Sequence, residues 1–234
     1  MLLGRAAGDA VTRVRRVIVE RSPDWARRSL GPMVMAFDAL VLDHGLLRLL
    51  SDNRHRLSAE AWRSAQPGPQ RLRAWARRGI RTIVNLRGHG PLGTYWLERD
   101  ACSRLGLTLV DFRLRSYEAP SREQLHRARA LFAEVEYPIL IHCKSGADRT
   151  GLMGVLYRVV REGASIRDAR RELSLRYGHL RCLDAGILDH FLDCYQADTD
   201  TSPIEFFEWV DRRYDRDAVI RSFRARSWRQ RLLS

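Results

Sequence analysis

Four cysteines in 234 residues are too few for a disulfide scaffold, and no two of them have the spacing of a zinc knuckle. A reducing, cytosolic setting is therefore the expectation. Long apolar runs are missing as well. No stretch reaches the roughly 20 uncharged apolar residues of a membrane span. The nearest, Met33 to Leu50, is interrupted by Asp38, Asp43, His44 and Arg48. The N-terminus has no compact apolar run followed by a small-residue cleavage site, so a secretory signal is not expected. There is no internal repeat, low-complexity tract or nucleic-acid recognition motif, and nucleic acid is not an expected partner. What is present is 45% hydrophobic, 29% charged and 9% aromatic, the make-up of a soluble globular domain with room for one buried core plus extensions.

Lysine is all but absent. Of 41 lysines and arginines only Lys144 is lysine and the other 40 are arginine, against 28 acidic residues, for a net charge of +13. GC-rich coding is the plainer reading of so much arginine. The excess still favours anionic partners: nucleic acid, an acidic membrane face or a phosphorylated substrate.

Residues 1 to about 60 read as a basic, mostly helical extension, with Val11, Val14, Val17 and Ile18 at helical spacing and Pro23 and Pro32 as breaks. The pattern then alternates. A helix over Pro69 to Arg78 is stopped by Gly79, and a short apolar strand covers Thr82 to Leu86. A helix near Tyr95 to Leu105 is stopped by Gly106, and a strand follows at Thr108 to Phe112. After a polar loop to Pro120, Ser121 with Gln124 forms a capping box for a helix to about Glu136, and Pro138 opens a strand at Ile139 to His142. Helices follow at about Thr150 to Arg161, after Ser165 and Asp168, and over Ala185 to Tyr195, and the last is expected to start at Ser202, Pro203 and Glu205. This order implies an α/β fold, a central, largely parallel sheet flanked by helices.

The chemistry is concentrated in His142-Cys143-Lys144-Ser145-Gly146-Ala147-Asp148-Arg149-Thr150-Gly151, between a strand and a helix. A loop in that place points successive backbone N–H groups into one concavity at the positive end of the helix dipole. Gly146 permits the conformation of a tight cradle, and Arg149 offers a planar fork for two phosphate oxygens. The same donors stabilise a thiolate on Cys143, the condition for a nucleophilic cysteine. Cys102, Cys182 and Cys194 lie on helical patterns and read as structural.

His-Cys, five residues, then Arg-Thr-Gly resembles the signature loop of the cysteine-based protein tyrosine phosphatase superfamily, on its dual-specificity side. Trp62-Arg63-Ser64-Ala65-Gln66-Pro67 and Thr82-Ile83-Val84-Asn85-Leu86-Arg87 are similar to the opening segments of bacterial members, so the resemblance spans about Ala61 to Tyr195. It implies Cys143 as nucleophile, Arg149 as phosphate clamp, Lys144, Ser145, Gly146 and Ala147 as the cradle, the Thr150 hydroxyl steadying the leaving thiolate and His142 ordering the loop from behind, with no metal or cofactor. It also implies a phosphatase domain over 61–200, between the extension at 1–60 and a basic helical tail at 201–234.

Three carboxylates compete as proton donor. Asp148, beside Arg149, is favoured: the run Cys143-x-x-Gly146-x-Asp148-Arg149-Thr150 resembles myotubularin lipid phosphatases and certain bacterial phosphatases in which that aspartate is the acid. A structural salt bridge is its alternative role. Asp111 lies in the apolar run Leu109-Val110-Asp111-Phe112, which would lock it at a strand end, and Glu118 lies in the following loop. The expected reaction is phosphomonoester hydrolysis on a phosphoprotein, with a lipid or inositol phosphate as the other substrate class. Arg87 is a candidate for the rim. From Ala218 to Ser234 there are five arginines and no carboxylates, interleaved with Val219, Ile220, Phe223, Trp228, Leu232 and Leu233. Such a helix either lies on an anionic bilayer or packs its apolar stripe on the domain. A non-catalytic phosphate-binding module is the weaker alternative, since such a module commonly lacks Cys143 or Arg149. Sulfur transfer on a similar loop is another, but Arg149-Thr150-Gly151 suits it less.

Overall fold

The computed structural model describes residues 52–90 and 93–226. The helices expected before residue 52 and the tail beyond 226 lie outside the described residues. Five strands form one sheet in the order β1-β2-β5-β3-β4: β1 His55–Arg56, β2 Ala61–Ala65, β3 Thr82–Asn85, β4 Thr108–Asp111 and β5 Ile139–Cys143. The neighbours β2–β5, β5–β3 and β3–β4 are parallel, and β1 pairs antiparallel with β2. The helices are α1 Pro69–Arg77, α2 Gly93–Leu105, α3 Arg122–Glu134, α4 Asp148–Glu162, α5 Ile166–Ala169, α6 Ile187–Thr201, α7 Phe206–Arg212 and α8 Arg216–Ala225.

Alternation along the strands sends side chains to two cores. Ile83 and Leu140 join Leu72 and Trp75 of α1 and Ala101 and Cys102 of α2 on one face. Val84, Ile139 and Ile141 join Leu125 and Phe132 of α3, Met153 and Val155 of α4, and Phe191 and Leu192 of α6 on the other. Buried on both faces, β5 is the middle strand, which places its C-terminal end, and the loop that follows, at the centre of one sheet edge. Ligand crevices of parallel α/β sheets open at that edge.

The local signals explain most boundaries. Ser121 and Gln124 form the reciprocal capping box that starts α3, and Gly163 closes α4 in the left-handed conformation, φ 64°. Three expectations are corrected. The final helical stretch starts at Phe206, not Ser202: Ser202 N–H still donates to the Asp198 carbonyl at 2.9 Å as the last cap of α6, so Pro203 lies in the inter-helix turn. Cys182 lies in a turn rather than a helix. Residues 52–60, grouped with the helical extension, supply β1. Between α5 and α6 come three short 3₁₀ turns, Arg170–Glu172, Leu175–Tyr177 and Asp184–Gly186. As for the tail, α8 buries Val219 and Phe223 against the domain, and Ser222 lies 2.8 Å from His190 Nε2. The described part of its apolar stripe is therefore directed inward.

Candidate active site

Cys143 ends β5, level with Ala65 of β2, and is buried. The chain then turns sharply through Gly146, at φ +76°, where an added Cβ would come within 2.7 Å of the Ser64 and Ala65 backbone. Glycine is required on both counts. The Gly146 N–H donates to Cys143 Sγ at 3.2 Å. Helix α4 begins at Asp148 with no side chain capping its first turn, so its leading amides remain open toward an anion.

A buried arginine holds this loop from behind. Arg63, in the middle of β2, is fully buried. Its Nη2 donates to the carbonyls of Gly146 (2.8 Å) and Ala147 (3.3 Å), and its Nη1 donates to Glu172 Oε2 and the Glu172 carbonyl, both at 2.8 Å. Glu172 also accepts from Arg158 Nε at 2.7 Å, and the Arg63 guanidinium lies 3.7 Å from the Tyr177 ring centroid. With two loop carbonyls drawn back to Arg63, the cradle is left to N–H groups. Asn53 Nδ2 ties the loop to the 3₁₀ segment, donating to Ser145 O and Tyr177 O, both at 2.9 Å.

Burial disfavours a thiolate at Cys143, but the Arg149 guanidinium, the Thr150 hydroxyl and N–H and the Gly146 N–H together outweigh it and hold the thiol below its ordinary value. Arg149 Nε is buried with no hydrogen-bond partner among the described residues, and neither has the Thr150 hydroxyl a close oxygen or nitrogen partner. The Arg149 Nε donor, buried and unpartnered beside a sulfur anion, marks a place where a ligand would complete the bonding. Arg149 lines a cleft of about 240 Å³ together with Gln66, Arg87, Thr94, Tyr95 and Arg113. His142 is fully buried, with Nδ1 3.4 Å from the Cys143 carbonyl. Its Nε2 lies 2.6 Å from Glu98 Oε1, close but out of line for a hydrogen bond. Glu98 accepts from Gln66 Nε2 at 2.8 Å, and Gln66 in turn accepts from Arg87 Nη1, which connects the strand end to the rim. Within the loop Lys144 is half-buried, Ser145 exposed and Ala147 buried.

The three carboxylates separate clearly. Asp111 is the last residue of β4 and is engaged at both oxygens, by Asn85 Nδ2 (2.8 Å) and the Tyr95 hydroxyl (2.7 Å). Glu118 is held by Arg115 (2.7 Å) and Arg216 (3.0 Å), and lines a second cleft, of about 450 Å³. Asp148 accepts at Oδ1 from His179 Nδ1 at 2.7 Å, and the far side of that ring donates from Nε2 to Asp189 Oδ2 at 2.6 Å. Burial alone would lower the His179 pKa, but hydrogen bonds and charge from Asp148 and Asp189 raise it to about 9, so the ring is an imidazolium at neutral pH. Arg63, His179 and Asp189 were not singled out from the sequence. Each meets the loop only through long-range packing, and a histidine between two aspartates far apart in the chain carries no local signature.

The match of this chain to the family described as "DSP-PTPase phosphatase fused to NAD+ Kinase" covers residues 49–187. The dual specificity protein phosphatase TpbA of Pseudomonas aeruginosa strain UCBPP-PA14 is 31% identical over 157 residues, 65% of this chain and 59% of TpbA, and TpbA of strain PAO1 is 32% identical over 153 residues. The chain thus spans about three fifths of the length of these curated relatives. Among solved structures, P. aeruginosa TpbA superposes with TM-score 0.48 at 26% identity, over 62% of this chain and 91% of that one. PTPMT1 superposes with TM-score 0.46 at 15% identity, over 64% and 99%. With the family match covering more than half its length, the chain belongs to the dual-specificity-like protein tyrosine phosphatases, in the family described as a DSP-PTPase phosphatase fused to NAD+ kinase.

Proposed function

We propose that the chain is a cysteine-dependent phosphomonoesterase that works through a phosphocysteine at Cys143. The observation that carries this reading is the thiol held below its ordinary value by Arg149, Thr150 and Gly146, groups that equally suit a tetrahedral anion. In the first step the Cys143 thiolate attacks phosphorus in line with the ester oxygen; the S–P bond forms and the P–O bond breaks. Arg149 and the N–H groups of Lys144, Ser145, Gly146 and Ala147 hold the non-bridging oxygens. Asp148 passes to the departing oxygen the proton that the hydrogen-bonded His179 imidazolium supplies, leaving the ring neutral. Supporting Asp148, only one of its oxygens is engaged among the described residues, whereas Asp111 and Glu118 are each held by two donors. In the second step water attacks phosphorus, and its proton returns through Asp148 to His179. The S–P bond breaks, phosphate leaves, and the Thr150 hydroxyl steadies the released thiolate.

The catalytic unit is taken as 61–200, with a basic extension on either side. A phosphoprotein is the preferred substrate, in keeping with the name of the curated relatives, dual specificity protein phosphatase. A lipid or inositol phosphate is the second reading, favoured by Arg87, Arg113 and Arg149 on one cleft. Replacing Cys143→Ser should abolish hydrolysis of p-nitrophenyl phosphate while leaving binding of inorganic phosphate intact; turnover by the variant would refute the mechanism. Phosphate release from a panel of phosphopeptides and lipid phosphates would separate the two substrate classes.

A further inference from the structure

Among the described residues five large apolar side chains are exposed, and three fall within nine residues of one another: Leu175 at 74%, Leu180 at 41% and Leu183 at 55%. The other two, Trp96 and Tyr117, follow β3 and β4 on the chain segments that flank the two clefts. The leucine segment is not free to turn its apolar side chains inward. Tyr177 is buried beneath the Arg63 guanidinium, and His179 is buried between Asp148 and Asp189. Gly186 closes the segment so tightly that an added Cβ would meet the Arg181 carbonyl at 1.8 Å. The inward positions are taken, and the leucines are presented outward on a stiff support. That support is attached directly to the phosphate loop, through Asn53 at Ser145 and Tyr177 and through His179 at Asp148.

Charge identifies the occupant. Exposed Arg171 and Arg176 flank Leu173 and Leu175, and Arg181 is paired with Asp193, leaving Asp184 as the one carboxylate between Leu173 and Gly186. Neither of the two clefts takes any lining from this segment. Scattered aliphatic side chains beside arginines need no complementary surface to be buried in acyl chains, while the arginines meet anionic headgroups. Tryptophan and tyrosine at the same edge suit the headgroup level. We propose that the face formed by Leu175, Leu180 and Leu183 docks on an anionic phospholipid bilayer and brings the Cys143 loop to phosphate groups at its surface. The inference rests on the phosphatase reading for what the bilayer presents to the loop, but the docking itself is measured without turnover.

The test is co-sedimentation of the full chain with vesicles of phosphatidylcholine alone and with about 30 mol% phosphatidylglycerol, at about 0.15 M salt. Wild type should sediment only with the anionic vesicles. The triple variant Leu175→Ser, Leu180→Ser, Leu183→Ser should bind about 100-fold more weakly, the equivalent of about 2.7 kcal/mol over three leucines. Its turnover of soluble p-nitrophenyl phosphate should match wild type, which verifies that it folds. Wild type failing to sediment with anionic vesicles would overturn the proposal and leave the leucines as a face for a protein partner or another segment of the chain. Equal vesicle binding by wild type and the triple variant would overturn it too. If wild type binds vesicles but hydrolyses no aryl phosphate, the docking face stands and it is the phosphatase reading that fails.

Discussion

Replacing His179→Gln should remove a pH-dependent contribution to stability whose size follows from the site. The ring is buried between Asp148 and Asp189, and its pKa is raised from the ordinary imidazole value of 6.5 to about 9. Below pH 6.5 both the folded and the unfolded chain hold the proton, and the contribution is complete. Between 6.5 and 9 the unfolded chain releases the proton that the folded chain keeps, so stability falls as pH rises, and above 9 the contribution is gone. At about 1.36 kcal/mol for each pH unit, the gap is worth about 3 kcal/mol at pH 6, of which about 2 kcal/mol is lost between pH 7 and 9. Cys143 runs in the opposite sense: a thiol held below its ordinary value adds stability as pH rises through the same window. The comparison therefore belongs in a Cys143→Ser background. His55 and His190, both lowered by burial, act below pH 6.5 and stay outside the window. Urea unfolding followed by the fluorescence of the six tryptophans, at pH 7 and pH 9, gives the numbers. Cys143→Ser should lose about 2 kcal/mol more across that interval than Cys143→Ser with His179→Gln. Equal pH slopes in the two proteins would refute the ion triad.

Gly146→Ala should cost about 1–3 kcal/mol in urea unfolding and at least about 100-fold in kcat/KM on an aryl phosphate, because both φ +76° and the 2.7 Å approach to β2 oppose a methyl group. Arg63→Met removes the brace from the loop and leaves Glu172 paired with Arg158 alone, so stability should fall by about 3 kcal/mol and phosphate affinity should weaken although the residue touches no substrate. Asp148→Asn should slow an alkyl phosphate far more than p-nitrophenyl phosphate, whose leaving group needs little protonation, while Glu118→Gln should slow both alike and slightly; the reverse pattern would transfer the proton donor to Glu118.

The parts of the molecule that were legible are those written contiguously. The strand–helix alternation from Pro69 to Cys143 follows from local patterns, and so does the strand–loop–helix that carries Cys143 to Thr150, because cradle and nucleophile occupy consecutive positions. The short strand β2 was hidden by Arg63 at its centre, a charge that reads as exposed until Glu172, 109 residues later, neutralises it. The stretch from Arg170 to Gly186 has no periodicity to read, since its shape is set by Tyr177 and His179 finding partners on other elements. The motif Ser202-Pro203-Glu205 misled for a related reason: capping residues report a boundary, and here the boundary was the end of α6.

The buried charges also explain why the loop would accept an anion at all. Arg63 is neutralised by Glu172, and the His179 imidazolium by Asp148 and Asp189. These cations are matched inside the protein and add structure without adding attraction at the loop. Arg149 is not matched in this way. Among the described residues no carboxylate pairs with it, its Nε lacks a partner, and its charge acts on the Cys143 sulfur. Desolvating an arginine without a counter-ion is costly, and the thiolate beneath it balances its single charge but leaves its Nε without an acceptor. A phosphate monoester dianion supplies what is lacking, with oxygens for the guanidinium fork and the loop amides. Beside the sulfur, a partly buried cation without a carboxylate partner thus stands where sulfur can reach phosphorus. Arg63 draws the loop carbonyls of Gly146 and Ala147 to the opposite side.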